Sequence, residues 1–340
     1  MAYNKNTWAN GDIITAEKLN NIEDGIENID SLNLVNGKAI HSLRGTGTAE
    51  ENENYSSGSY AFAEGNNTIA SGAGSHAEGI GSLQNQTYKD NTNALPGATT
   101  VASHVEGFNT RVQDGMAGHA EGYQTLAGGS QPPGSHAEGY STVSKGGASH
   151  AEGLNTIASG TASHAEGCNT TASGSYSHAE GSETTASEGY SHAEGLRTTA
   201  SGGYSHAEGS ETTASGGCSH AEGASTTASG LHSHAEGGNT IASGDYSHTE
   251  GSSTIAKNRS QHVYGEYNIE DPSSNSGTRR GTYVEIVGNG TEDNSRSNAR
   301  TLDWFGNESL QGSLTLGKGT EYETTIAAAQ LKALLALLNT

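Results

Sequence analysis

Large apolar side chains are scarce in this chain. Leu, Ile, Val and Phe together make up 44 of 340 residues, about 13%, which excludes a large conventional hydrophobic core. Two Cys cannot form a disulfide framework, and four Pro argue against a proline-rich linker or a collagen. The longest apolar stretch, 326–338, is interrupted by Gln330 and Lys332 and is too short to span a bilayer, so no membrane insertion is expected. Residues 1–12 show no basic segment leading into an apolar one, so no secretory signal is expected. Positive charge is also sparse. Lys and Arg number 16 against 38 Asp and Glu, a formal net charge of −22, which disfavours nucleic acid or anionic lipid as a partner. With 49 Gly, composition alone would class the chain as disordered.

An internal repeat overrides the composition. From His136 onward a block close to N-T-x-A-S-G-x-x-S-H-A-E-G-x returns every 14 residues, placing His150, His164, His178, His192, His206, His220, His234, His248 and His262 in one slot. The register runs back, with slips, through His119, His104 and His76 to Phe62. Fourteen residues are too few for a helical hairpin repeat but suffice for two short strands and two tight turns, one rung of a parallel β-solenoid. Alternation within Ser-His-Ala-Glu-Gly predicts Ser163, Ala165 and Gly167 on one face and His164 and Glu166 on the other, with Gly167 and Ser159-Gly160 supplying turn chemistry. A roll this thin buries little apolar area by itself, so neighbouring chains are expected to complete it.

The S-x-A-x-G rung at this period is similar to the head repeats of trimeric autotransporter adhesins. The Ser-His-Ala-Glu-Gly version, as at Ser177 to Gly181, resembles that of tail and baseplate proteins of phages of Gram-positive bacteria. The likeness covers 57–269. Thr7-Trp8-Ala9-Asn10-Gly11-Asp12 with Thr15-Ala16-Glu17-Lys18-Leu19-Asn20 resembles the amino-terminal segment of such proteins, and Ile286-Val287-Gly288-Asn289-Gly290-Thr291 with Arg296 to Trp304 resembles the segment that follows their repeats. The resemblance implies a trimeric, left-handed parallel β-roll in the virion, assembled in the host cytoplasm, docked to tail or baseplate proteins and touching a host-surface glycan or protein. An adhesin autotransporter would carry a signal peptide and a membrane barrel, for which the sequence shows no pattern.

Three regions are expected: 1–45 as an attachment segment with a coiled-coil helix, 46–270 as the mainly β repeat shaft, and 271–340 as a small α+β cap. Leu19, Ile22, Ile26 and Ile29 follow an a/d spacing suited to a three-stranded coil, with a helix folded back on its own chain as the alternative. Beyond the repeat, 271–278 reads as a polar loop, 282–287 and 313–316 as strands, and Gly288 to Gly290 as a turn. Thr324 or Thr325 is expected to cap a final helix whose Leu331, Leu334, Leu335 and Leu338 would pack between chains.

Several columns could carry chemistry. The His slot and the Glu two residues on, including Glu138, Glu152, Glu166 and Glu180, form two outward columns. Stacked carboxylates repel, and alternating imidazoles relieve that by hydrogen bonding. The first reading is an inter-chain His–Glu ladder that sets register; a metal array and a solvated face are the alternatives. Tyr60, Tyr176, Tyr190, Tyr204 and Tyr246 share a slot before Ser-His and form either a sugar-contacting strip or an aromatic ladder over the turn. Thr156, Thr170, Thr184, Thr198, Thr212, Thr226, Thr240 and Thr254 form a further column, either an ice-binding array or ordinary β-branched stacking. Cys168 and Cys218, 50 residues apart, lie beyond bridging reach and are expected to be reduced. No nucleophile elbow, P-loop or Cys-x-x-Cys occurs, so no enzyme and no cofactor is expected. The competing readings are a self-processing or glycan-degrading tail protein. Host contact is expected at 83–96, 126–134 and the cap.

Overall fold

The computed structural model describes residues 34–35, 38–39, 41–42, 55–56, 59–70, 72–80, 97–98, 101–113, 116–129, 133–273, 277–316 and 324–327. The protein is mainly β, a parallel β-solenoid; among the described residues the one helical element is a 3-10 turn at Asp293–Ser295. No described helix is long and apolar enough to cross a membrane. The chain divides into two compact units between His150 and Ala151.

In the second unit each rung has a five-residue strand, such as His164–Cys168 or His178–Ser182, and a two-residue strand, such as Thr171–Ala172 or Thr185–Ala186. Successive long strands pair in parallel with no slip: His164 opposes His178, Ala165 opposes Ala179 and Gly167 opposes Gly181. Short strands do the same, Thr171 on Thr185 and Ala172 on Ala186. A 14-residue period with no insertions therefore turns each sequence column into a spatial column one strand spacing apart.

Turns hold the rung closed. Ser177 N–H donates to Gly174 O at 3.2 Å, and its hydroxyl donates to the same oxygen at 2.7 Å. Between them Tyr176 adopts φ 60°, and the other corner places Asn169 at φ 55°. Two left-handed non-Gly residues per rung are strained locally, and they persist because the ladders on either side fix them. Tyr176 N–H reaches Thr161 O at 2.8 Å, and Asn169 N–H reaches Leu154 O at 2.8 Å, so even the corners are laddered.

The interior is filled by small side chains. Ala151 to Ala242 form one continuous alanine stack, every member 0% exposed, lined by the buried Ser163, Ser177 and Ser191. Thr156, Thr170, Thr184, Thr198, Thr212, Thr226, Thr240 and Thr254 are also fully buried. Their burial excludes the ice-binding alternative and leaves ordinary β-branched stacking. The inward phase of the short strand takes Thr170 with Ala172, and the outward Thr column is instead Thr171, Thr185, Thr199, Thr213 and Thr227. The expected placing of Gly167 is corrected: it faces out at φ 104°, because the strand leaves the pleat there to make the corner.

The first unit is built alike, with long strands including Phe62–Asn66, His76–Ile80, His104–Phe108 and His119–Tyr123. Its parallel pairing also includes His41–Ser42 against Phe62–Ala63. The core there is Ala63, Ala70, Ala77, Ala120, Ala127 and Ala137 with two larger members, Val105 and Val112. Val112 is accommodated by Gly118, which stands where other rungs have Ser: a Cβ on Gly118 would lie 2.6 Å from Val112 Cγ1.

The carboxyl end of the second unit is sealed. Tyr283–Asn289 adds in parallel to His262–Glu266, then pairs antiparallel with Asn298–Asp303, which pairs with Glu308–Leu310. Gly288 and Asn289, expected in a turn, continue this strand because Gly288 takes the glycine slot opposite Gly265. Buried Asn268 supplies the groups a further short strand would offer: its Oδ1 accepts from Ile255 N–H at 2.8 Å and its Nδ2 donates to Ile255 O at 3.2 Å. Ile286, Val263 and Ala256 form a small apolar plug with Tyr283 packed on it. Ser313–Leu316 is a strand as expected, but Thr324–Ala327 is its antiparallel partner and not a helix start, since β-branched Thr324, Thr325 and Ile326 suit a strand. Leu19, Ile22, Ile26, Ile29, Leu331, Leu334, Leu335 and Leu338 lie outside the described residues, as does the 83–96 loop.

Candidate functional site

The outward residues of the long strand are His and Glu, so the fold lines them up in two parallel columns. In the second unit the imidazoles of His178, His192, His206, His220 and His234 stack face to face, with centroids 4.7–4.8 Å apart. In the first, His76, His104, His119, His136 and His150 stack at 4.6–4.9 Å. That is the strand spacing itself, so the backbone ladder sets the stack.

The Glu column runs alongside. His164, His178 and His192 place Nε2 at 3.6, 3.7 and 3.8 Å from Glu166, Glu180 and Glu194 of their own rungs. Further along, His220, His234 and His262 sit 3.6, 3.4 and 3.6 Å from Glu208, Glu222 and Glu250 of the preceding rung. His248 closes to hydrogen-bond distance, 3.0 Å from Glu236 Oε1. These ion-pair contacts are within one chain, whereas the sequence pattern favours an inter-chain ladder. Imidazoles set beside the carboxylates, as His192 and His206 are beside Glu194, offset the repulsion along the Glu column.

Both faces of each inner imidazole are covered by its neighbours, which removes water from the ring. Burial, reinforced by repulsion from adjoining imidazoles, holds His104, His119, His206 and His234 below the ordinary histidine pKa, against the pull of nearby Glu. A folded-state pKa below the unfolded value means that the unfolded chain takes up protons first as pH falls. Stability from these residues is complete above the unfolded value of about 6.5 and is lost as pH falls through the lowered folded values. In chelated buffer the thermal midpoint is therefore expected to be flat from about pH 8 to 6.5 and to drop below that. A midpoint unchanged down to about pH 5 would show that the ladder titrates as free histidine does.

The Tyr column is placed at the left-handed corner. Tyr176, Tyr190 and Tyr204 stack at 5.0 and 4.8 Å, and Tyr246 stacks on His232 at 5.1 Å. Tyr190 spends both ring faces on Tyr176 and Tyr204, so along this strip a sugar would meet ring edges and hydroxyls, with a ring face only at the ends of the stack. Tyr60, 82% exposed, occupies the same corner in the first unit. Cys168 and Cys218 are both free, on different columns.

Two further features lie outside the columns expected above. The residue after each H-A-E-G forms its own column, exposed and apolar in the first unit: Ile80, Phe108, Tyr123 and Tyr140, with Phe108 on Tyr123 at 4.9 Å and Tyr123 on Tyr140 at 4.8 Å. Leu154 and Leu196 hold that position in the second unit. The signal for it in the sequence is the apolar residue that follows each of these glycines. The second feature is Arg197, whose Nε and Nη1 each lie 3.2 Å from Glu183 and Glu211, one rung to either side. These exposed pairs contribute little, because both partners stay solvated and two long side chains must be held in one geometry.

No protein-family model and no curated protein matches this chain.

Proposed function

We propose that the chain is a structural and adhesive protein of a phage or prophage tail, a tail fibre or baseplate component. Three copies combine their left-handed rolls into one shaft, the amino-terminal segment docks to the tail through a short coiled coil, and the far end and loops meet a glycan or protein of the bacterial surface. The observation that carries this reading is the in-register stack of Ser-His-Ala-Glu-Gly strands, in which identical side chains recur at every rung. Such repetition suits a stiff spacer and gives no rung a chemistry of its own.

Two further features support it. A core of Ala, Ser and Thr buries little apolar area, while Ile80, Phe108, Tyr123 and Tyr140 offer an exposed apolar column for a sister chain to cover. At the cap, Asp303 organises a tight turn by accepting from the N–H groups of Phe305 and Asn307, both at 2.8 Å, and this turn leaves Phe305 91% exposed. An exposed aromatic on a fixed turn suits surface contact, and three copies on one assembly would multiply a weak affinity.

Sedimentation equilibrium of the full chain is expected to give three times the 34.7 kDa protomer mass. Labelled protein is expected to decorate Gram-positive cells and to lose that binding when the surface glycan is stripped. A stable monomer in dilute buffer overturns the assembly, and failure to bind any of a panel of such cells overturns the adhesive role.

A further inference from the structure

The distances in the His/Glu ladder fall in an unusual interval. A direct hydrogen bond from imidazole to carboxylate closes at about 2.7–3.2 Å. Two ligands of one tetrahedral zinc, each about 2.0–2.2 Å from the ion, stand roughly 3.3–3.5 Å apart. The Nε2 to carboxylate separations for His164, His178, His192, His220 and His234 are 3.4–3.8 Å, beyond the first range and close to the second. The Nε2 atoms of His178, His192, His206, His220 and His234 are buried and make no hydrogen bond. A buried ring nitrogen left without a partner costs free energy, and an ion is one means of satisfying it.

We propose that the His/Glu columns bind divalent cations of the zinc class, each ion held by two successive imidazoles and the carboxylate between them. The cluster His192, Glu194 and His206 represents the set: one ligand atom from each lies within 4.8 Å of the other two, and His136, Glu138 and His150 repeat it in the first unit, as do His234, Glu236 and His248 in the second. Two nitrogens and one oxygen suit a borderline cation, with water as a fourth ligand. Rings stacked 4.7 Å apart leave the second imidazole too far, so the two rings must tilt together by about 1 Å in all to share the ion. Side chains one-third exposed, 35% for His192 and 33% for Glu194, leave an open edge for entry and for that movement. The net charge of −22 draws cations to the surface. Neighbouring clusters share ligands and two ions one rung apart would repel, so ions occupy alternate rungs at most. This site is independent of the proposed function, since it needs one chain only.

The test is titration of tag-free, chelator-treated full-length protein with Zn2+ by calorimetry and with Co2+ by visible absorption. The expected result is saturation at more than one ion per chain, a four-coordinate Co2+ spectrum, and affinity falling at least about ten-fold from pH 7.5 to 5.5 as protons compete. The double variant His192→Phe/His206→Phe should keep an aromatic ring in each slot, because Phe62 already occupies this slot, tilted against His76 with centroids 5.2 Å apart, and it should lower the stoichiometry by at least one ion. Glu194→Gln, which leaves every ring in place, should weaken binding as well. Fewer than one ion bound per chain at about 0.1 mM Zn2+ overturns the proposal, as does a stoichiometry and affinity unchanged by both variants.

Discussion

Replacing Gly181 by Ala is expected to destabilise the second unit by about 3 kcal/mol or more, the sum of a backbone penalty and a steric one. Gly181 has φ 103°, a conformation that an L side chain rarely adopts, and this alone costs about 1–3 kcal/mol. A Cβ there would lie 2.2 Å from the carbonyl oxygen of Gly195, and that oxygen belongs to the next rung. It cannot retreat without stretching the ladder between His178–Ser182 and His192–Leu196. The same holds at Gly167 and Gly195, where an added Cβ would lie 2.1 Å from the following rung's oxygen, so these glycines set the closeness of the stack. Gly203→Ala is the control: its Cβ would approach nothing nearer than Gly189 O at 3.9 Å, and its φ is not in the left-handed region, so its effect should stay within about 0.5 kcal/mol. Denaturant midpoints and hydrogen exchange in the flanking rungs report both. A Gly181→Ala protein as stable as its parent would mean that glycine does not govern rung spacing.

The alanine core makes a second strong expectation. Ala186 is 0% exposed in a stack where, from Ala151 to Thr254, no fully buried side chain exceeds Thr in size. Ala186→Val should cost about 1–3 kcal/mol by overpacking. The first unit already contains the remedy. Val112 stands in the slot equivalent to Ala186, and Gly118 replaces the following Ser, where a Cβ would come within 2.6 Å of Val112. Ser191→Gly is therefore expected to recover part of the loss caused by Ala186→Val, although it surrenders the hydroxyl bond from Ser191 to Glu188 O at 2.6 Å. A coupling of about 1 kcal/mol or more in the double-mutant cycle is the predicted reading, and strict additivity would contradict it.

Much of this is legible in the chain because the period is intact. Ten successive His slots at one spacing specify a parallel stack, and alternation places Ala165 inside and His164 and Glu166 outside. The same alternation puts Thr156 in phase with Ala158, so the burial of the Thr column is also written in the sequence, although the recurrence of Thr taken alone does not show it. At the carboxyl end the period stops, and with it the warrant. Thr324–Ala327 forms a strand because Ser313–Leu316 offers a partner, a fact about distant pairing that no local pattern carries. Nor could spacing reveal that Asn268 would replace a missing strand for Ile255, since its donor and acceptor act only once the final rung exists.

From His136 onward the primary structure by itself determined the rung, its corners and the His, Glu and Ala columns, because an uninterrupted 14-residue repeat maps one-to-one onto space. Only the tertiary structure decided how closely those columns approach. Strand spacing brings imidazoles to 4.7–4.8 Å and leaves most carboxylates just beyond hydrogen-bond distance of the nearest ring nitrogen. Such separations follow from backbone hydrogen bonding between rungs, a property of the stacked chain and of no single repeat.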